Sequence, residues 1–281
     1  MSVALALLLA LQAGGAGDSV TRLLAAARAG TERFRDPSAA LAEGFRPVGP
    51  DFPGMGQHWI HPGLLLEGVL DPARPHVLEY ADIRGTLTLV GVAYVSLATG
   101  GRVPDAFPVS PEAWHFHGGT VSEESFVRGH ALGEPADSAG APRLAVLHAW
   151  IWLDNPAGVF RTDNWSLPFA RVGLEAPPGV TRGAAEAMAL AAPGGEAYMA
   201  ALLKAVGRPD SVEAAALGGL VAEAAAELRA WLAARGPEAS SRVGPEEVRF
   251  LAVRWERLWE DVGAHTTPPV RERLLTLRPH H

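Results

Sequence analysis

Arg143-Leu144-Ala145-Val146-Leu147-His148-Ala149-Trp150-Ile151-Trp152-Leu153 reads as the clearest β-strand in this chain. It is apolar and rich in residues that favour a pleated surface. The turn sequence Asn155-Pro156-Ala157-Gly158 follows it. A period of two puts Leu144, Val146, His148, Trp150 and Trp152 on one face. A histidine in such an apolar row costs a few kcal/mol unless its nitrogens are bonded. His148 is therefore either a satisfied core residue or a ligand or base at a pocket wall. Seven of the ten histidines lie between His58 and His148, and five of the eight tryptophans between Trp59 and Trp165. That clustering favours the pocket.

Working outward, Thr86–Leu97 and His76–Ala81 also read as strands, with Arg84-Gly85 as a turn between them. The segment Pro47–Pro62 holds four prolines and three glycines and predicts irregular structure. Upstream, Asp18–Phe34 has helical spacing, with Asp18 or Ser19 as N-cap. Asp36-Pro37 opens a shorter helix that ends at Gly44. Ser122–Arg128 predicts a short helix between loops. Beyond Ala176-Pro177-Pro178-Gly179 the chain turns alanine-rich and helical, most clearly over Asp210–Arg235 and Pro245–Val262. The expected class is α+β: an antiparallel sheet or open barrel over residues 18–175, then an α-helical bundle over 180–281.

Composition narrows the function. The formal net charge of −7 argues against a nucleic-acid partner, which calls for a basic stripe. There is no cysteine, so thiolate zinc sites, iron–sulfur clusters and disulfides are excluded. The apolar run from Met1 to Leu11, followed by Gly14, Gly15 and Ala16, resembles a signal peptide cleaved near residue 17. It is too short for an ordinary transmembrane helix. The expected location is periplasmic or extracellular, with no transmembrane segment in the mature chain.

Three fragments could carry chemistry. In Trp114-His115-Phe116-His117, an extended backbone points both imidazoles to one side, about 6–7 Å apart at the backbone. That spacing lets two rings converge on one cation. In Gly54-Met55-Gly56-Gln57-His58-Trp59-Ile60-His61-Pro62, glycines permit close backbone approach. His58 and His61 face opposite sides of an extended run, so His58 is taken as the ligand and His61 as a cap or surface residue. His148 supplies the third fragment, and His130 is a further candidate ligand. His76, between prolines, reads as superficial. Candidate carboxylates are Glu67, Glu79, Glu123 and Glu124. Glu79 points away from His76 and Tyr80 and needs a partner inside a sheet. Trp59, Trp150 and Trp152 are the expected pocket walls, and Asp163-Asn164-Trp165 a loop that closes it. A cupin is disfavoured, because the carboxylate after His115-x-His117 comes too late.

Met55-Gly56, His58-Trp59 and Pro62, then Leu89-Val90-Gly91-Val92-Ala93-Tyr94, then Leu147-His148, Trp150, Trp152, Asn155-Pro156, Gly158 and Phe160 form one string of motifs. It resembles a family of uncharacterised secreted bacterial proteins. The likeness spans roughly Met55 to Trp165 and implies secretion, without implying a reaction. The family pattern carries Asn where this chain has His61, and often Glu where it has Ala93.

The sequence thus predicts an exported protein that holds one divalent transition metal (Zn, Cu, Fe or Ni) through His58, His115, His117 and His148. An open coordination position would support hydrolysis or oxygen chemistry. The alternatives are a non-catalytic periplasmic module for a metal or small ligand, and a structural protein whose histidines are dispersed.

Overall fold

The computed structural model describes residues 3–98, 102–117, 143–236 and 240–277. The chain opens with helix α1 (Val3–Thr31), followed by a 3-10 turn (Glu32–Arg35) and α2 (Pro37–Glu43). Helix α1 runs straight through Asp18, so neither Asp18 nor Ser19 caps a helix there. The alanine- and leucine-rich residues before them have high helical propensity and extend it upstream. Asp36 does cap α2, accepting a bond from the Ser38 amide, and Pro37 takes the first helical position.

Among the described residues, six strands then build one open antiparallel sheet in the order β1-β2-β3-β4-β6-β5. They are β1 (Arg46–Phe52), β2 (Gly56–Ile60), β3 (Val77–Ile83), β4 (Thr86–Ala98), β5 (Trp114–His117) and β6 (Arg143–Ala149). The hairpin β1–β2 occupies the stretch expected to be irregular. β1 is an edge strand, where Pro47 and Pro50 interrupt no inner ladder, and its pairing slips between Val48 and Phe52. Arg84 and Gly85, both with positive φ, form the two-residue turn from β3 to β4. β6 ends at Ala149, earlier than its composition suggests. The Trp150 amide bonds to Val159 O, and the Trp152 and Leu153 amides both bond to Val90 O, so the chain bends off the ladder.

One face of the sheet is an apolar core. Leu78, Tyr80, Val92, Tyr94 and Leu147 pack there against Leu23 and Ala27 of α1 and against Phe34 and Phe45. The other face carries two smaller apolar clusters. Val77, Ala93, Val95 and Val146 form one. Phe52, Met55, Ala81, Val90, Trp150 and Leu167 form the second, with Tyr198 packed on it. Through Leu167 and Tyr198 this face meets the helical region: α4 (Leu167–Arg171), α5 (Arg182–Ala191), α6 (Gly195–Gly207), α7 (Ser211–Ala234), α8 (Pro245–Ala264) and α9 (Pro268–Leu275). Those helices share a core of their own around Met188, Leu203, Val221, Leu251 and Trp255. Among the described residues no strand follows residue 180. The single bridge between Glu175 and Arg242 ties the start of the helical region to the segment before α8. No described helix is long and apolar enough to cross a membrane.

Candidate metal centre

The gap between the two smaller clusters is filled by polar side chains. His58 on β2 stands directly across from Glu79 on β3. Glu79 stands across from Gly91 on β4. His148 on β6 stands across from Ala93, two residues further along β4. All three polar residues therefore point from the same face. His58 is 5% exposed, and Glu79 and His148 are fully buried.

Gly91 makes this arrangement possible. A Cβ built there would run into Glu79 Oε2 and lie 3.1 Å from Trp150 Cε3. With no side chain on β4, the Glu79 carboxylate reaches over that strand and pairs through Oε1 with His148 Nδ1. The same Oε1 lies 4.0 Å from His58 Nε2. The two imidazole rings sit edge to face with centroids 5.8 Å apart. Phe52 closes the far side of His58, with ring centroids 5.7 Å apart.

One ligand atom from each of His58, Glu79 and His148 lies within 4.8 Å of the other two. Ligands about 2.0–2.2 Å from a tetrahedral ion sit about 3.3–3.6 Å from one another. The 4.0 Å between Glu79 Oε1 and His58 Nε2 is close to that spacing. Glu79 Oε2 and His148 Nε2 are buried and have no hydrogen-bond partner among the described residues. Buried polar atoms in native proteins are normally bonded, and a cation would satisfy them. The donor set suits a divalent transition metal: two neutral imidazoles and one carboxylate, with no sulfur.

His115 and His117 extend the group along β5. They pair across from Val146 and Leu144 and so share the face of His148. The His115 ring stacks on His148 at 4.9 Å, and its Nε2 lies 2.9 Å from that of His117. Thr162 Oγ1 is 3.4 Å from His115 Nδ1. Burial, with His148 and Arg143 nearby, pulls the His117 pKa down to about 4. His117 thus stays neutral at physiological pH. His115 and His117 adjoin the three-residue group but are not part of it.

The remaining expectations divide. His61 caps helix α3 (Pro62–Glu67), its Nδ1 accepting from the Leu64 amide, as its position before Pro62 suggests. His76, read as superficial, is fully buried, and its Nδ1 accepts from the Val95 amide. The prolines around it shape the entry to β3 without lifting it to the surface. Glu79, one of four candidate carboxylates, sits at the centre of the group. Trp150 stands beside His148, rings stacked at 6.3 Å. Trp59 packs with Tyr80 on the opposite face, and Trp152 donates to Thr31 Oγ1 beneath α1. Neither joins the centre: Trp59 alternates with His58 along β2, and Trp152 lies past the end of β6. His130, Glu123, Glu124 and the helix expected over Ser122–Arg128 lie outside the described residues. Ala93 stands opposite His148 and supplies no carboxylate; the carboxylate that meets His148 is that of Glu79. Comparison with protein-family models, curated proteins and solved structures returns no match.

Proposed function

We propose that this chain is an exported metal-binding protein whose centre is held by His58, Glu79 and His148. The observation that carries the reading is the convergence of these side chains from three strands onto one buried spot. A buried carboxylate between imidazoles is costly as a mere core filling, and a divalent cation offsets that cost. Export rests on the apolar run at Met1–Leu11 and on the resemblance to secreted bacterial proteins.

Three protein ligands leave at least one coordination position for water or dioxygen. A zinc ion held by His58, Glu79 and His148 would supply Lewis-acid activation of water near neutral pH. With iron(II), two histidines and one carboxylate form the donor set of non-haem oxygenases. Among the described residues, His115 and His117 adjoin His148 on the same face and would be groups to accept or deliver a proton there. The second reading, a non-catalytic binding module, draws on the same stacking: if His115 turns onto the ion, the site is closed.

Elemental analysis of protein purified without a histidine tag tests the proposal, together with metal titration of the wild type, His148→Ala and Glu79→Gln. One equivalent of a transition metal retained by the wild type and lost in both variants is expected. Full retention in both variants, or no binding by the wild type across zinc, copper, nickel and iron(II), would leave the structural alternative. Exchangeable water on the bound ion separates the open, reactive centre from the closed one.

A further inference from the structure

A second site lies on the other side of Phe52. The Phe52 ring that meets His58 also meets Tyr198, with centroids 5.6 Å apart. Beyond it, a cavity of about 80 Å³ opens between the sheet and the helical region. A buried water needs roughly 10–15 Å³ on this measure, so the space suits several waters or one ligand of a few heavy atoms. Its walls are mostly apolar and aromatic, but the polar groups on them are unusual.

Glu186 of α5 bonds through Oε1 to Arg182 Nε at 2.8 Å. Its other oxygen, Oε2, is buried with no hydrogen-bond partner among the described residues. The same is true of the indole nitrogens of Trp255 and Trp259 on α8, whose side chains are 95% and 94% buried. All three residues line the cavity, and so does Asp163. Among the described residues that line it, Arg182 is the only basic one, and it also stacks over Trp165. Two carboxyl groups thus face one guanidinium, beside two indole N–H donors with no partner among the described residues.

Isolated, each feature would be a flaw in the packing. Taken together they complement one kind of molecule. We propose that this cavity binds a small amino alcohol, its ammonium group held by Asp163 and Glu186 and its hydroxyl oxygen by the indole N–H groups of Trp255 and Trp259. Tyr198 and Trp165 offer aromatic surface that favours a cation. Met199, Leu190 and Leu202 enclose the short carbon chain.

The protonation states agree. Burial pushes the Glu186 carboxyl up to about 7, against Arg182 and with Asp163 adding to the rise. Burial also raises Asp163, opposed by Arg182 and His148. Tyr198 is raised as well and stays neutral. A bound ammonium would hold Glu186 ionised, so affinity should climb as pH rises through about 7 while the ligand remains protonated.

Ethanolamine is the probe, read by calorimetry and by tryptophan fluorescence on the full chain. A chelator is present throughout, so the result is independent of the metal centre. n-Propanol replaces the ammonium by a methyl group, and n-propylamine does the same to the hydroxyl. Ethanolamine should bind with one-to-one stoichiometry, n-propylamine more weakly and n-propanol not measurably. Glu186→Gln should weaken ethanolamine at least about tenfold and flatten the pH dependence. Trp255→Phe should narrow the gap between ethanolamine and n-propylamine. Circular dichroism checks that each variant folds, and Asp163→Asn is the second charge variant. The proposal is overturned if n-propanol binds as tightly as ethanolamine, if no saturable signal appears, or if both charge variants bind like the wild type.

Discussion

Replacing Gly91 by alanine adds one methyl group to β4 and tests how the centre is built. The backbone there is ordinary extended strand, so alanine meets no conformational barrier. It should even gain about 0.4–1 kcal/mol by restricting the unfolded chain. The new Cβ, however, falls on Glu79 Oε2 and within 3.1 Å of Trp150 Cε3. Trp150 is fixed by its indole bond to Arg161 O at 2.6 Å, so the carboxylate must move. Overpacking of a buried site costs about 1–3 kcal/mol. The variant should therefore fold with little net loss, or about 2.6 kcal/mol less stable at most. Metal binding should suffer more, because misplacing a ligand or its support typically costs about 10–100-fold in affinity. At a metal concentration about 100 times the wild-type Kd, binding stabilises the wild type by about 2.7 kcal/mol. A Kd weakened about 100-fold leaves about 0.4 kcal/mol at that same concentration. The difference corresponds, at about 2.1 cal/mol/K of unfolding entropy per residue over 281 residues, to a metal-induced rise in Tm smaller by about 4 °C. Thermal melts with and without metal read this directly. If Gly91→Ala keeps the wild-type metal shift, Glu79 does not reach the ion over β4 and the proposed centre is wrong.

Three further outcomes are expected. His61→Ala should leave metal retention unchanged and cost about 0.5–2 kcal/mol through the lost cap on α3; loss of metal in this variant would place His61 in the centre. Metal affinity should fall as pH drops through about 6, since protons compete for the imidazoles; a pH-independent Kd between 5 and 8 would point to oxygen ligands alone. Folding stability should carry two opposed pH dependences. The lowered His117 pKa gives stability present above the unfolded value of 6.5 and lost as pH falls towards 4. The raised Glu186 pKa gives stability present below 4.5 and lost as pH rises through about 7. His117→Gln should flatten the acid limb of denaturation midpoints, and Glu186→Gln the neutral one; unchanged limbs would show that neither group titrates as its surroundings dictate.

Much of the architecture is readable because patterning and punctuation agree. Arg84-Gly85 marks the hairpin that brings β3 beside β4, and no described strand follows Pro177-Pro178-Gly179. The proline-rich stretch misleads because proline opposes a strand only where its missing N–H belongs to a ladder. Pro47 and Pro50 sit on the edge strand β1, a position that emerges only once all six strands are ordered. The end of β6 is hidden for a similar reason. Val90 O, in the strand next door, takes two amides from Trp152 and Leu153 and ends the pairing that their composition favours.

Alternation along single strands sets His58 apart from Trp59 and places His115 with His117 beside the centre. What alternation cannot supply is register. Glu79 becomes central because His58 pairs with it on one side and glycine, rather than a side chain, faces it on the other. One residue of slippage in β3 would put Leu78 opposite His58 and send Glu79 into the apolar core under α1. The carboxylate therefore depends on three strands being aligned at once, and the signal for it in the sequence is a pair: an acidic residue in an apolar strand and a glycine in the next. Gly91 alone reads as a weak spot in β4, and Glu79 alone as an ill-placed charge. Only together do they describe a carboxylate reaching over a neighbouring strand towards a histidine on the strand beyond.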